Sequence, residues 1–107
     1  MSKKTNTFFA QCRPKTGWKT LYTAVGGEMV SYVNVANVGD VDGFWSMCIA
    51  RAGQGYKRGN AFVWNEEIDE HDNDVWGYGI PLEPGMRIGV YSSKDNGLTF
   101  TVYGAFV

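Results

Sequence analysis

The densest concentration of chemically capable side chains is residues 66–74, EEIDEHDND, where six carboxylates and the chain's single histidine fall within nine positions. Carboxylate oxygens at such close spacing suit a hard cation, calcium above all, and Asp69, Asp72 and Asp74 form the candidate ligand set. The EF-hand spacing D-x-[DN]-x-[DN]-G is missing, however. A solvated loop, or a charged strand edge that discourages edge-to-edge association, accounts for the run without a metal. His71 has the chemistry of a general base. Neither G-x-S-x-G nor any comparable nucleophile motif accompanies it, so no catalytic residue is assigned and the chain reads as a non-enzyme. Cys12 and Cys48 stand far apart with no C-x-x-C pair, and with one histidine they are too few for a Cys/His zinc site. They read as free thiols of a protein made in a reducing compartment. No cofactor is expected.

Aromatic side chains make up 15% of the chain, enough to ask whether all of them belong to the core. Rings fill the interior of most β-sandwiches, and core packing is the first reading of Trp45, Trp64, Trp76 and Tyr78 alike. Trp64, Trp76 and Tyr78 are also candidates for a sugar-stacking platform or a subunit contact, because Trp and Tyr are enriched where proteins meet partners. Trp76 and Tyr78 share one side of a strand by period two. The stretch AGQGYKRGN, residues 52–60, has neither G-x-G-x-x-G nor G-x-x-x-x-G-K-[ST] and opens no helix, so it reads as a surface loop and not a phosphate cradle.

These groups must be positioned by one small domain. A chain of 107 residues buries roughly two-thirds of its unfolded surface, enough for a single core. Its formal net charge of −1 lacks the basic field of a nucleic-acid binder. No apolar run approaches the length of about 18 residues needed to span a bilayer, and the opening MSKKTNT has no apolar centre. A soluble protein made in the cytosol, without membrane contact, is expected.

Abundant glycine, scarce leucine and the lack of helical periodicity point to many short strands joined by tight turns. Strand-like runs occupy residues 8–12, 18–24, 29–38, 44–51 and 61–65, followed by a final block over 75–107. In FWSMCIAR, Trp45, Met47 and Ile49 make a large face for the core, while Ser46, Cys48 and Ala50 make a small face suited to close packing against something flat. In the final block, Pro84-Gly85 has the chemistry of a type II turn. Asn96-Gly97 is expected to close a two-residue type I′ hairpin, which makes residues 86–93 and 98–107 antiparallel neighbours. Met86, Ile88 and Val90 share one face of the first strand, and Leu98, Phe100, Val102 and Phe106 one face of the second. The expected fold is all-β: an antiparallel β-sandwich, jelly-roll-like, of eight or nine short strands. Residues 1–17 read as an N-terminal arm with a short edge strand, and residues 18–107 as the sandwich.

The order of segments resembles a known group. KTLYTA, a Gly-rich turn, VSYVNVANVG, a strand ending IARAG, YGIPLEPGMRIGVYSS and NGLTFTVYGAFV together are similar to small β-sandwich structural proteins of tailed bacteriophages. The likeness runs from Trp18 to Val107. Met86 and Arg87 depart from it, standing where members carry an acidic residue after Gly; the acidic run is richer than usual, and the segment before Trp18 lies outside the pattern. The resemblance implies a virion component without a catalytic site, most directly a capsid decoration or cement protein that binds the outer capsid surface and bridges its subunits. Its partners would be the major capsid protein and itself, as a homotrimer or dimer, in a virion whose parts are made in the cytoplasm of a bacterial host. Lys3, Lys4, Phe8, Phe9 and Trp18 are then the candidate capsid or subunit contacts. The alternatives are a carbohydrate-binding or receptor-binding module, using Trp64, Trp76 and Tyr78, and a tail or baseplate subunit.

Overall fold

The computed structural model describes residues 7–77 and 79–107; Lys3, Lys4 and Tyr78 lie outside the described residues. Among the described residues there are nine strands, β1 (Thr7–Cys12), β2 (Gly17–Thr23), β3 (Glu28–Asn37), β4 (Gly43–Ala50), β5 (Ala61–Ile68), β6 (Asn73–Trp76), β7 (Ile80–Leu82), β8 (Arg87–Ser92) and β9 (Leu98–Phe106). A single 3-10 turn, Arg58–Asn60, precedes β5. The strands form two antiparallel sheets packed as a sandwich. Sheet A runs β1-β9-β3-β6, with β7 also paired to β3, and sheet B runs β2-β8-β4-β5. Only β4 and β5 are neighbours both in sequence and in hydrogen bonding. Nearly every other connection crosses from one sheet to the other, the double Greek-key winding of a jelly roll.

Period two places the core. Val33 and Val35 of β3 and Phe100 and Val102 of β9 point inward from sheet A, and Met47, Ile88 and Val90 meet them from sheet B, all without solvent exposure. Trp45 lies edge-on to Phe100, ring centroids 6.1 Å apart, and its indole N–H donates to Asp74 Oδ2 at 3.3 Å. One of the acidic residues thus ties β6 to β4 across the sandwich. The two thiols stand on different sheets, Cys12 on edge strand β1 and Cys48 on inner strand β4, and both are free. Burial raises the pKa of each, so little thiolate forms near neutral pH.

The turn at Pro84 forms as its chemistry requires: Gly85 has φ +87°, and the Met86 N–H donates to the Glu83 carbonyl at 3.1 Å. The expected hairpin at Asn96-Gly97 does not form. β8 pairs with β2 and β4 in sheet B, whereas β9 pairs with β1 and β3 in sheet A, so the two strands face each other across the core. Asn96, not Gly97, carries the positive φ of +54°. Residues 93–97 form an arch instead, held by three bonds to two neighbouring segments, the β1–β2 loop and the end of β3. Asn96 N–H donates to the Pro14 carbonyl at 2.9 Å, Thr16 N–H donates to Asp95 Oδ1 at 2.7 Å, and Val38 N–H donates to the Gly97 carbonyl at 2.9 Å. Those tertiary bonds outweigh the local preference of Asn-Gly for a two-residue turn.

The acidic run is also less of a loop than its composition suggests. β5 continues through Glu66 and Glu67 to Ile68, whose buried side chain opposes Gly43, and β6 begins at Asn73. Because β5 is the edge of sheet B, its carboxylates stand where charge deters pairing with another strand.

Candidate functional site

The outer face of sheet B carries most of the aromatic surface not used in the core. Period two on β8 turns Ile88 and Val90 inward and therefore turns Gly89 and Tyr91 outward. Gly89 has a specific purpose: a Cβ there would lie 2.4 Å from the ring of Tyr56. The bare backbone lets Tyr56, from the loop between β4 and β5, lie flat on the sheet. This is the flat partner that the small face of β4 called for, since Cys48 and Ala50 are buried with no solvent exposure. Cys48 Sγ donates to the Lys57 carbonyl of the same loop at 3.2 Å. Tyr56 is fixed by a 2.5 Å hydrogen bond between its hydroxyl and Thr20 Oγ1 and by the Arg87 guanidinium, 5.1 Å from its ring centroid.

Tyr56 in turn props Trp18, which stands at the centre of a four-ring group: its centroid is 5.5 Å from Tyr56, 5.6 Å from Tyr91 and 6.1 Å from Trp64. β2 and β5 are opposite edges of sheet B, roughly 14 Å apart at ordinary strand spacing. The indoles of Trp18 and Trp64 meet because the residue on β4 between them is Ser46, too small to hold them apart. A bulge in β5 aims Trp64 inward over the sheet. The β4–β5 register shifts between Trp45 and Met47, Asn65 takes φ +51°, and the Asn65 N–H donates to Ser46 Oγ at 2.9 Å. Trp18, Trp64, Tyr91, Ser46 and Asn65 bound a pocket of about 230 Å³. Trp64 also forms a wall of a wider groove of about 630 Å³ at the β5 edge, with Phe62, Val63, Glu66, Trp76 and Ile80.

Replacing Gly89 with Ala is expected to expel Tyr56 from the sheet and cost about 1–3 kcal/mol, the usual price of overpacking. Urea denaturation checks it through a double-mutant cycle: Tyr56→Ala should abolish most of the penalty of Gly89→Ala. Simple additivity of the two changes would mean that the ring and the glycine are not matched.

The structure distributes the other candidate residues widely. Phe8 is exposed on the outer face of sheet A, where its ring meets Tyr103. Phe9 turns the other way, stacks on Tyr22 at 5.2 Å and packs against the core, so it is not a free contact residue. Trp18 belongs to sheet B, and the described members of the proposed contact set therefore do not share one surface. Of the sugar-stacking candidates, Trp64 is exposed in the pocket and Trp76 lies edge-on to Phe62 in the neighbouring groove. Tyr91 and Asn65 also line the pocket without any sequence signal that marks them for it, whereas Ser46 belongs to the small face of β4.

The proposed calcium set does not assemble. Asp69 comes together with Asp42 and Glu67, all three exposed, with carboxylate oxygens within 4.8 Å of one another. Asp74 is engaged by Trp45, and Asp72 Oδ1 accepts the Asn73 N–H at 2.8 Å. The winding brings the β3–β4 loop against the end of β5, which sequence spacing could not reveal. His71 Nε2 lies 3.2 Å from Asp40 Oδ1, an exposed pair at the same end of the molecule.

No protein-family model matches the chain, and neither does any curated protein. Among solved structures, a chain of the structure of infectious bursal disease virus Gx strain is similar, with a TM-score of 0.53 and 11% sequence identity. The match covers 95% of this chain and 30% of that one, so the present chain corresponds to under a third of its length. At that identity the two share a fold, and the likeness establishes the jelly-roll β-sandwich of this chain as an architecture also found in a virus structure.

Proposed function

We propose that the chain is a virion structural protein, seated on the outer capsid surface as a decoration protein that bridges capsid subunits. The observation that carries this reading is the strand order β1-β9-β3-β6 over β2-β8-β4-β5, aligned along almost the whole chain with part of a viral chain. Jelly rolls serve viral capsids and lectins alike, and the outer face of sheet A favours the former. Phe8, Tyr32, Asn34, Val75, Thr99 and Tyr103 occupy outward positions on its four principal strands, and none is charged. Phe8 and Val75 are 55% and 65% exposed, so the face offers apolar area at both edges. Depletion of charge with retained aromatic residues is the composition of an interface centre. The partners would be the major capsid protein and further copies of the chain, as a homotrimer or dimer around a capsid symmetry axis.

Immunogold labelling of intact particles tests the placement, with regular label over the head expected. Label confined to the tail would replace the decoration role by a tail or baseplate one, and unlabelled particles would remove the virion reading altogether. At the residue level, Phe8→Ser and Val75→Asn are expected to weaken capsid binding at least tenfold in a pelleting assay while leaving the melting temperature nearly unchanged. The aromatic pocket of sheet B favours a second reading, a carbohydrate- or receptor-binding surface, which a decoration protein is free to carry as well.

A further inference from the structure

We infer that the pocket formed by Trp18, Trp64, Tyr91, Ser46 and Asn65 binds one neutral pyranose ring of a saccharide. This does not depend on a virion role, since it concerns what the isolated chain binds. The inference starts from what the pocket presents. Its walls are two indoles and a phenol, and the C–H faces of a sugar ring pack on such π surfaces. The indole N–H groups of Trp18 and Trp64, the Tyr91 hydroxyl and the Asn65 side-chain amide make no hydrogen bond with any described residue. Among the described residues that are not exposed, no buried polar side-chain atom lacks a partner, so the Trp18 N–H and the Tyr91 hydroxyl are open to solvent; Trp64 and Asn65 are themselves exposed residues. The pocket therefore offers stacking area together with neutral donors and acceptors, the combination that hydroxyl-bearing rings require and that a purely apolar ligand would leave unused.

Charge narrows the ligand class further. None of the five lining residues is charged. The Arg87 guanidinium behind Tyr56 is occupied: it covers that ring and donates to the carbonyls of Arg51 and Gln54. A nucleotide would find rings to stack on but no cation in the lining to neutralise its phosphates, and an acidic sugar would find no counter-charge there. Size agrees: about 230 Å³ falls below the roughly 300–1,000 Å³ of pockets for drug-sized ligands and suits one ring. Because Trp64 separates this pocket from the groove at the β5 edge, a longer chain can continue past it toward Phe62 and Trp76.

The site is also preorganised, as weak ligands require. Tyr56 locks Trp18 from behind through Gly89 and Thr20, and the Asn65 bulge fixes the start of the opposite wall. Isothermal titration of the intact chain with cellohexaose, maltohexaose, mannohexaose and xylohexaose is the test. At least one of these is expected to bind saturably. Trp64→Ala, which removes an exposed side chain, should weaken that binding tenfold or more, and Tyr91→Phe should weaken it measurably while keeping the ring. Asn65→Gly tolerates the positive φ and removes only the amide, so it separates loss of contact from loss of fold; it too should weaken binding, with an unchanged melting temperature. Failure of all four oligosaccharides to bind overturns the inference, as does binding that survives both Trp64→Ala and Asn65→Gly. Particle labelling is untouched by any of these outcomes, so the two readings fail separately.

Discussion

Phe100→Ala is expected to destabilise the fold by about 3–5 kcal/mol, a large part of the roughly 5–15 kcal/mol that holds a domain together. Phe100 is fully buried at the centre of the sandwich, opposite Val35 on its own sheet and edge-on to Trp45 from the other. Its removal opens a cavity that rigid strands on both sides cannot close. Phe106 has the same strand parity, yet it is 52% exposed at the end of β9, with its ring against Phe9. Phe106→Ala should therefore cost under about 1 kcal/mol. Urea denaturation of the two variants decides the matter: equal losses would mean that the core extends to the end of β9, contrary to the burial described.

Glu28→Ala is expected to cost about 2–4 kcal/mol, because this buried carboxylate organises the connection between β2 and β3. It accepts hydrogen bonds from the Tyr22 hydroxyl at 2.5 Å, the Val25 N–H at 2.8 Å and the Gly26 N–H at 2.7 Å. Burial alone would raise its pKa, but the bonds from Tyr22 and from the backbone outweigh desolvation and hold it below the ordinary carboxylate range. The folded pKa is thus lower than the unfolded one. The stabilisation is complete above the unfolded value of about 4.3 and is lost as pH falls through the folded value. Tyr22 shows the opposite sign: burial, then the bond to Glu28 and its charge, push the phenol up to about 12. Its contribution is present below about pH 10 and disappears as pH rises toward the folded value. Glu28→Gln should flatten the acid limb of a stability profile and Tyr22→Phe the alkaline limb. If both variants trace the wild-type profile, the pair does not carry the pH dependence.

The acid limb also bears on the other carboxylates. Asp95 is held low by the Thr16 hydrogen bonds that pin the arch between β8 and β9. It is exposed, so water competes for its bonds and Glu28 should dominate the profile.

How far the sequence could be read is clearest at β8 and β9. Alternation correctly turned Ile88, Val90, Phe100 and Val102 inward and Arg87, Tyr91, Thr101 and Tyr103 outward. It could not say whether the two inward faces belong to one sheet or to opposite ones, because a hairpin and an arch across the core demand the same pattern. Asn-Gly tipped the expectation to a hairpin. The structure uses an arch because the partners of its backbone groups, Pro14, Thr16 and Val38, come from loops distant in sequence.

The candidate site divides in the same way. Its ring content was visible, and the small face of β4 announced a close neighbour, but Trp18 and Trp64 come from opposite edges of sheet B and meet across a row that contains Tyr91 of β8 and the small Ser46 of β4. The acidic residues were visible as a run, yet Asp42 joined Glu67 and Asp69 while Asp74 turned to Trp45. What the sequence determined by itself was local: strand identity, inward and outward faces, the turn at Pro84-Gly85 and an all-β sandwich, each fixed by φ preferences and a period of two. Sheet membership, the arch, the aromatic pocket and the carboxylate pairings were decided only by tertiary structure. In a jelly roll hydrogen-bonded neighbours are seldom adjacent in the chain, and no short-range periodicity encodes which distant strands will meet.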